Sequence, residues 1–209
     1  MSNLISRRSF TVLAAGLAAS SAAGLQPADD TPKAEPPKPP AGPTEAAFER
    51  DYTPPDFKPS WKKQQINRLL VQDFIIFAHS DLDMVKKLLE KEPGLINAMM
   101  DWGGGDWETA LGGASHMGQR DIVEFLLEKK ARIDIFCAAM MGQLEAVKSF
   151  LTLQPNLIDT RGPHGFTLHF HAKAGGKSAE PVLDFLQSIK TVELKRAPFL
   201  NQPADQPVK

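Results

Sequence analysis

Residues 115–127 read SHMGQRDIVEFLL, and residues 139–151 read AMMGQLEAVKSFL. Gly-Gln recurs at Gly118-Gln119 and Gly142-Gln143, valine at Val123 and Val147, and an apolar pair closes each stretch. A second alignment goes further. SDLDMVKKLLEKEPGLIN at 80–97 lies on GQLEAVKSFLTLQPNLID at 142–159 without a gap. Leu82, Val85, Leu88 and Leu89 fall on Leu144, Val147, Phe150 and Leu151, and Pro93, Leu95 and Ile96 fall on Pro155, Leu157 and Ile158. Two unrelated amphipathic helices would share an apolar period but not the sequence that leaves the helix. Internal repetition of this kind predicts stacked copies of one supersecondary unit. A fourth copy follows Gly175-Gly176, with Val182, Phe185 and Leu186 as its apolar face and Pro181 near its start.

Each copy reads as helix, tight turn, helix. A short Ala-rich helix, LGGASHM or FCAAMM, comes first, and its small residues permit close approach by the next copy. A glycine turn follows, then a helix with larger apolar side chains, DIVEFLLEKK or LEAVKSFLTL. No single copy can bury its own apolar face, so the core must form by stacking. Upstream, WKKQQINRLLVQDFIIFA places Ile66, Leu69, Leu70, Phe74 and Phe77 at helical spacing and predicts a helix from Trp61, with Ser60 as its cap.

These features give residues 107–134, WETALGGASHMGQRDIVEFLLEKKARID, a resemblance to an ankyrin repeat. Thr109-Ala110-Leu111-Gly112 stands where that family has its Thr-Pro-Leu-His opening, Ala114-Ser115 where it has an Ala pair, and Gly118 at the inter-helix turn. Ile122-Val123 supply the apolar pair and Lys130-Ala131 the exit; in the last copy Leu168-His169, Ala172 and Gly175 match. The resemblance implies an all-α helix-turn-helix solenoid of about four repeats. It also departs from the family. Val85, Val123, Val147 and Val182 are separated by 38, 24 and 35 residues, against a family period of about 33. The short step leaves only ARIDI, too little for a β-hairpin finger; the long step carries NAMMDWGGGDWE.

Outside residues 61–190, assigned to the repeats, the chain changes character. Ser6-Arg7-Arg8-Ser9-Phe10 precedes an apolar, Ala-rich stretch and a run of small residues ending near Ala23. This layout resembles a twin-arginine export signal, which is read by a receptor and is not a stable anchor. It implies a signal at 1–23 and a periplasmic or secreted protein, with no stable membrane span after cleavage. Residues 24–60 are rich in proline and read as an extended linker. Residues 191–209 read as an extension whose Val192, Leu194, Phe199 and Leu200 could cover the last repeat before the end frays. With 42% apolar residues, 23% charged residues and a net charge of −1, the chain is an ordinary globular protein and not a general nucleic-acid binder. Its one cysteine, Cys137, excludes an internal disulfide and a cysteine-based metal cluster.

Candidate contacts lie in the unequal loops. DWGGGDWE sets Asp101-Trp102 and Asp106-Trp107 about three glycines, on the face where ankyrin repeats bind partners. Tryptophan is favoured at binding hot spots and stacks on sugars; the alternative is that these rings fold back over the core. GPHGFTLHFHAKAGG holds His164, His169 and His171. A metal site there is not expected, because residues two apart on a helix diverge and a site needs several converging ligands. His79 and His116 fall near inter-helix turns, with framework roles as the default. Ser115-His116 is not a catalytic pair, and Cys137 reads as a small buried apolar residue. The expectation is a non-catalytic, monomeric interaction module for a protein partner in the cell envelope. It uses Trp102, Asp106, Trp107, His164 and Phe166, with no cofactor and no metal. The alternative is a cell-wall or carbohydrate module using the DWGGGDW loop.

Overall fold

Five of the α-helices among the described residues start at a side chain that accepts a free backbone N–H: Asn67, Asp81, Thr109, Asp134 and Thr167. The computed structural model describes residues 45–60 and 62–194. Eight helices are present among them: α1 (Arg68–Phe77), α2 (Leu82–Lys91), α3 (Ala110–His116), α4 (Arg120–Glu128), α5 (Ile135–Met140), α6 (Leu144–Leu153), α7 (Leu168–Ala174) and α8 (Glu180–Ile189). Thr109, Asp134 and Thr167 cap α3, α5 and α7 by accepting the N–H three residues on, at 3.0, 2.8 and 3.0 Å. A cap of this kind stabilises a helix by about 1 kcal/mol.

The first helix differs from expectation. It begins at Arg68, where Asn67 accepts the Leu69 N–H at 2.8 Å, and not at Trp61 under a Ser60 cap. Residues 45–60 are exposed and carry no helix or strand. The expected export signal at 1–23, linker residues 24–44, Trp61 and extension residues 195–209 lie outside the described residues.

The helices pack in successive pairs, α1 with α2 through α7 with α8, and the first helices also pack on one another in chain order. The echo in the sequence has a counterpart in the backbone. After α2 and α6, Glu92 and Gln154 adopt nearly the same dihedrals, φ −138° and −143° with ψ 88° in both. A 3-10 turn beginning at proline follows each, Pro93–Asn97 and Pro155–Asp159. Between α3 and α4, and between α5 and α6, Gly118 and Gly142 have φ of 71° and 75°. Gln119 and Gln143 then donate back to Ala114 and Ala138, each at 2.9 Å. Positive φ is what these turns require, and glycine adopts it without steric cost.

Val85, Val123, Val147 and Val182 are fully buried. One apolar cluster centres on Phe74, Ile75, Leu95, Ile122 and Leu126, and a second on Leu168, Val182 and Leu186. The long insert forms an antiparallel hairpin, β1 (Met99–Asp101) with β2 (Trp107–Thr109), Met100 facing Glu108. No strand separates α4 from α5. No helix among the described residues is long and apolar enough to cross a membrane.

One helix end is imperfectly built. After α4, Ala131 donates to Leu126 O at 2.9 Å, a 6→1 closure, and Lys130 adopts φ 71°. An L-residue with a Cβ is strained there, and its exposed side chain offers little in return. Lys130→Gly should stabilise the fold by about 1 kcal/mol and raise the thermal midpoint by about 2–4 °C. An unchanged or lower midpoint would contradict the reading of strain.

Candidate functional site

Strand β2 is short, yet its alternation sets the site. Side chains alternate across a strand. Trp107 is 55% exposed, while its neighbour Glu108 is fully buried. The arrangement inverts ordinary partition: the indole faces water and the carboxylate faces inward. A buried carboxylate is costly unless it is paired or coordinated.

Three imidazoles surround Glu108, one from each of three corners. His79 follows the C-terminus of α1, and its Nε2 lies 3.5 Å from Glu108 Oε2. His116 ends α3, and its Nδ1 lies 3.1 Å from Glu108 Oε1. His164, in the turn before α7, brings Nε2 to 3.7 Å from the same oxygen. One ligand atom from each of the four residues falls within 4.8 Å of every other. Gly113 makes room for this: a Cβ there would sit 2.8 Å from the His79 ring.

Outer partners fix two of these rings. His79 Nδ1 faces Ile75 O at 2.9 Å. A carbonyl only accepts, so Nδ1 carries the proton and a neutral His79 turns the Nε2 lone pair toward Glu108. Burial holds the His79 imidazole below its ordinary value, against the opposing pull of the Glu108 charge, and so favours this neutral ring. His164 Nδ1 meets Asp106 Oδ2 at 2.8 Å, while Asp106 Oδ1 accepts the His164 backbone N–H at 2.8 Å. Burial opposes ionisation of Asp106, but these two hydrogen bonds together with the electrostatic pull of His164 and His116 hold the carboxyl below its usual range. His164 itself has φ 57° and ψ 19°. For a non-glycine residue this conformation is strained, and here the two bonds to Asp106 hold it.

Trp102 completes the rim. Its Nε1–H donates to Glu108 Oε2 at 2.7 Å. Its ring meets those of His79 and His164 edge-on, at centroid distances of 6.0 and 5.2 Å. Phe166 packs beside His116 at 5.3 Å and stacks on Phe170 at 4.1 Å. The hairpin tip is tied down as well, because Asp101 Oδ1 accepts the N–H groups of Gly103 and Gly105 at 2.8 and 3.1 Å. The result is a cup with a buried floor of Glu108 and His116 and a partly exposed rim of His79, His164 and Trp102. Imidazoles and a carboxylate with their lone pairs turned together are the donor types that hold a metal ion.

Four of the five residues expected to bind, Trp102, Asp106, His164 and Phe166, are brought together at this cup. Trp107 stands on the outer face of the same hairpin. The alternative in which the tryptophans fold back applies to Trp102 alone, and it covers the cup. Sequence reasoning misses Glu108, His79 and His116, giving both histidines framework roles. A signal exists: His79 and His116 lie six and seven residues before Val85 and Val123, at corresponding corners of two copies.

The other histidines do different work. His169 Nε2 contacts Lys190 O at 2.8 Å, and His171 Nδ1 contacts Thr167 O at 2.9 Å; both rings are fully buried. Ser115 donates to Leu111 O at 2.6 Å. Burial pushes the Cys137 thiol up to about 11, which makes it a poor nucleophile at neutral pH. No protein-family model matches the chain, and no characterised protein matches it at a significant level of similarity.

Proposed function

We propose that residues 61–190 form an ankyrin-like array of four helix pairs, serving as a non-catalytic interaction module for a protein of the cell envelope. The matched turns of the second and third pairs and the matched exits of the first and third support the array. The resemblance of residues 6–10 to a twin-arginine signal supports a site of action outside the cytoplasm. The observation that carries the interaction reading is the hairpin β1–β2. It is held rigid by Asp101 and carries Met99 and Trp107 at 52% and 55% exposure, with Trp102 at 42%. A large aromatic presented on a rigid element loses little entropy on binding, which is how hot-spot residues contribute most.

Trp107 makes the test clean, because it lies outside the cup and contributes little to the core. Trp107→Ala should weaken capture of the envelope partner by a tagged full-length chain about 30-fold, the equivalent of about 2 kcal/mol at a hot spot. Capture unchanged by this substitution would remove the hairpin from the interface. The exposed indole also suits stacking on a sugar ring. If Trp107→Ala abolishes retention on cell-wall glycans and leaves protein capture intact, the carbohydrate reading replaces the protein one.

A further inference from the structure

We propose that His79, Glu108, His116 and His164 together bind one divalent first-row transition metal ion, of which zinc is the working probe. The cup beneath the hairpin would hold the ion whether or not a protein docks on Trp107.

A tetrahedral zinc ion with bonds of about 2.0–2.1 Å sets its donor atoms about 3.3 Å apart. From Glu108 Oε1 the nitrogens of His116 and His164 lie at 3.1 and 3.7 Å, which bracket that edge, and His79 Nε2 lies 3.5 Å from the other carboxylate oxygen. No pair in the set is more than 4.8 Å apart, so closure of at most about 1.5 Å is needed, within reach of rim side chains that are partly exposed.

In a self-satisfied polar network the buried carboxylate would accept from the imidazoles. Glu108 instead accepts the Trp102 N–H on Oε2, while Glu108 Oε1 and His116 Nδ1 make no hydrogen bond although they lie 3.1 Å apart. Both atoms are fully buried. Two donor atoms facing each other at this distance, with the Nε2 atoms of His79 and His164 turned the same way, are explained by a cation between them.

Ligating histidines commonly give their other ring N–H to a carbonyl or carboxylate, which fixes the tautomer and raises basicity. His79 does so with Ile75 O, and His164 with Asp106. Three imidazoles and one carboxylate suit zinc, iron, nickel or copper better than calcium or magnesium, which prefer oxygen alone.

The ligands come from the corner after α1, from β2, from the end of α3 and from the turn before α7. An ion would therefore tie together segments far apart in sequence. The purified full chain, stripped with chelator and shown to be folded by circular dichroism, should bind one equivalent of Zn2+ or Co2+ in a calorimetric titration. With free Zn2+ at about 100 times its dissociation constant, the thermal midpoint should rise by about 5–10 °C. His164→Ala, a rim substitution that leaves the buried floor in place, should weaken binding at least 100-fold. Asp106→Asn should weaken it by about 10–100-fold through its effect on His164. Asp83→Asn, on the exposed face of α2, should change nothing. Glu108→Gln should also abolish tight binding; if that chain does not fold, His164→Ala and Asp106→Asn decide alone. A folded chain that binds neither Zn2+ nor Co2+ overturns the proposal. So does one-equivalent binding that survives both His164→Ala and Asp106→Asn, which would place the ion elsewhere.

Discussion

Gly175→Ala should be the most damaging single-methyl substitution in the helical frame, costing at least about 4 kcal/mol and leaving much of the protein insoluble or unfolded at 37 °C. The reason is contact and not backbone freedom. Gly175 caps α7 with φ −68°, a conformation open to any residue. An added Cβ, however, would overlap the carbonyl oxygen of Met140 at the end of α5 and lie 2.7 Å from the Ala179 Cβ. The obstacle is backbone at a helix end, which cannot swing aside as a side chain can. Arg120 fixes the same corner by donating to Met140 O at 3.4 Å and to Ser178 Oγ. Its neighbour Gly176 provides the control. Gly176 has φ 62°, but a Cβ added there would meet nothing within 4 Å, so Gly176→Ala should cost only about 1 kcal/mol, from backbone strain alone. Chemical denaturation of the two variants measures the contrast. Equal losses would mean that α5 and α7 can separate without penalty and that the close approach is not a structural requirement.

The same corner shows why so much of the frame is legible in the sequence. Glycine turns, capping residues and proline exits are local devices, each read by its own few residues. Gly118 and Gly142 therefore mark the turns, and Pro93 and Pro155 the exits, without knowledge of the rest of the chain. The start of α1 is harder to read, because helical spacing of apolar residues runs upstream through Ile66, while the stronger local signal, the Asn67 cap, lies within that run. The site is legible only in its unusual parts. Trp102, Asp106, His164 and Phe166 stand out because their loops depart from the repeat. Glu108 does not, since one carboxylate at the end of a glycine-rich insert, DWGGGDWE, carries no mark of burial. Its burial depends on which face of a hairpin of two three-residue strands packs down, and three side chains from distant segments settle that. His79 and His116 look like framework for a related reason: at helix ends they serve as caps unless other loops bring donors to meet them.

Acid should weaken the fold chiefly through His171, and the effect has a definite sign. The ring is fully buried between Phe136 and Phe170, with Nδ1 on the Thr167 carbonyl. Burial pushes its folded value down from 6.5 to about 4. Between those two pH values the unfolded chain takes up a proton that the folded chain refuses, so stability falls as pH falls. The contribution is fully present above pH 6.5 and is lost as pH drops toward 4, a total of about 3 kcal/mol at 1.36 kcal/mol per unit. That is a large part of a typical domain stability of about 5–15 kcal/mol. His171→Leu removes the titration and keeps an apolar group of similar size in place. At pH 7 the variant should be less stable by about 1 kcal/mol, because the imidazole hydrogen bond to the Thr167 carbonyl is lost while that carbonyl keeps the His171 backbone N–H at 3.1 Å. At pH 4 the order should reverse, since only the parent chain has a buried imidazole to protonate. Other groups, among them Asp106 and Asp134, titrate in both chains, so the difference between the two stability curves isolates His171 when urea midpoints are compared from pH 7 to pH 4. Parallel curves with no crossing would show that His171 is not the group that makes the fold acid-sensitive.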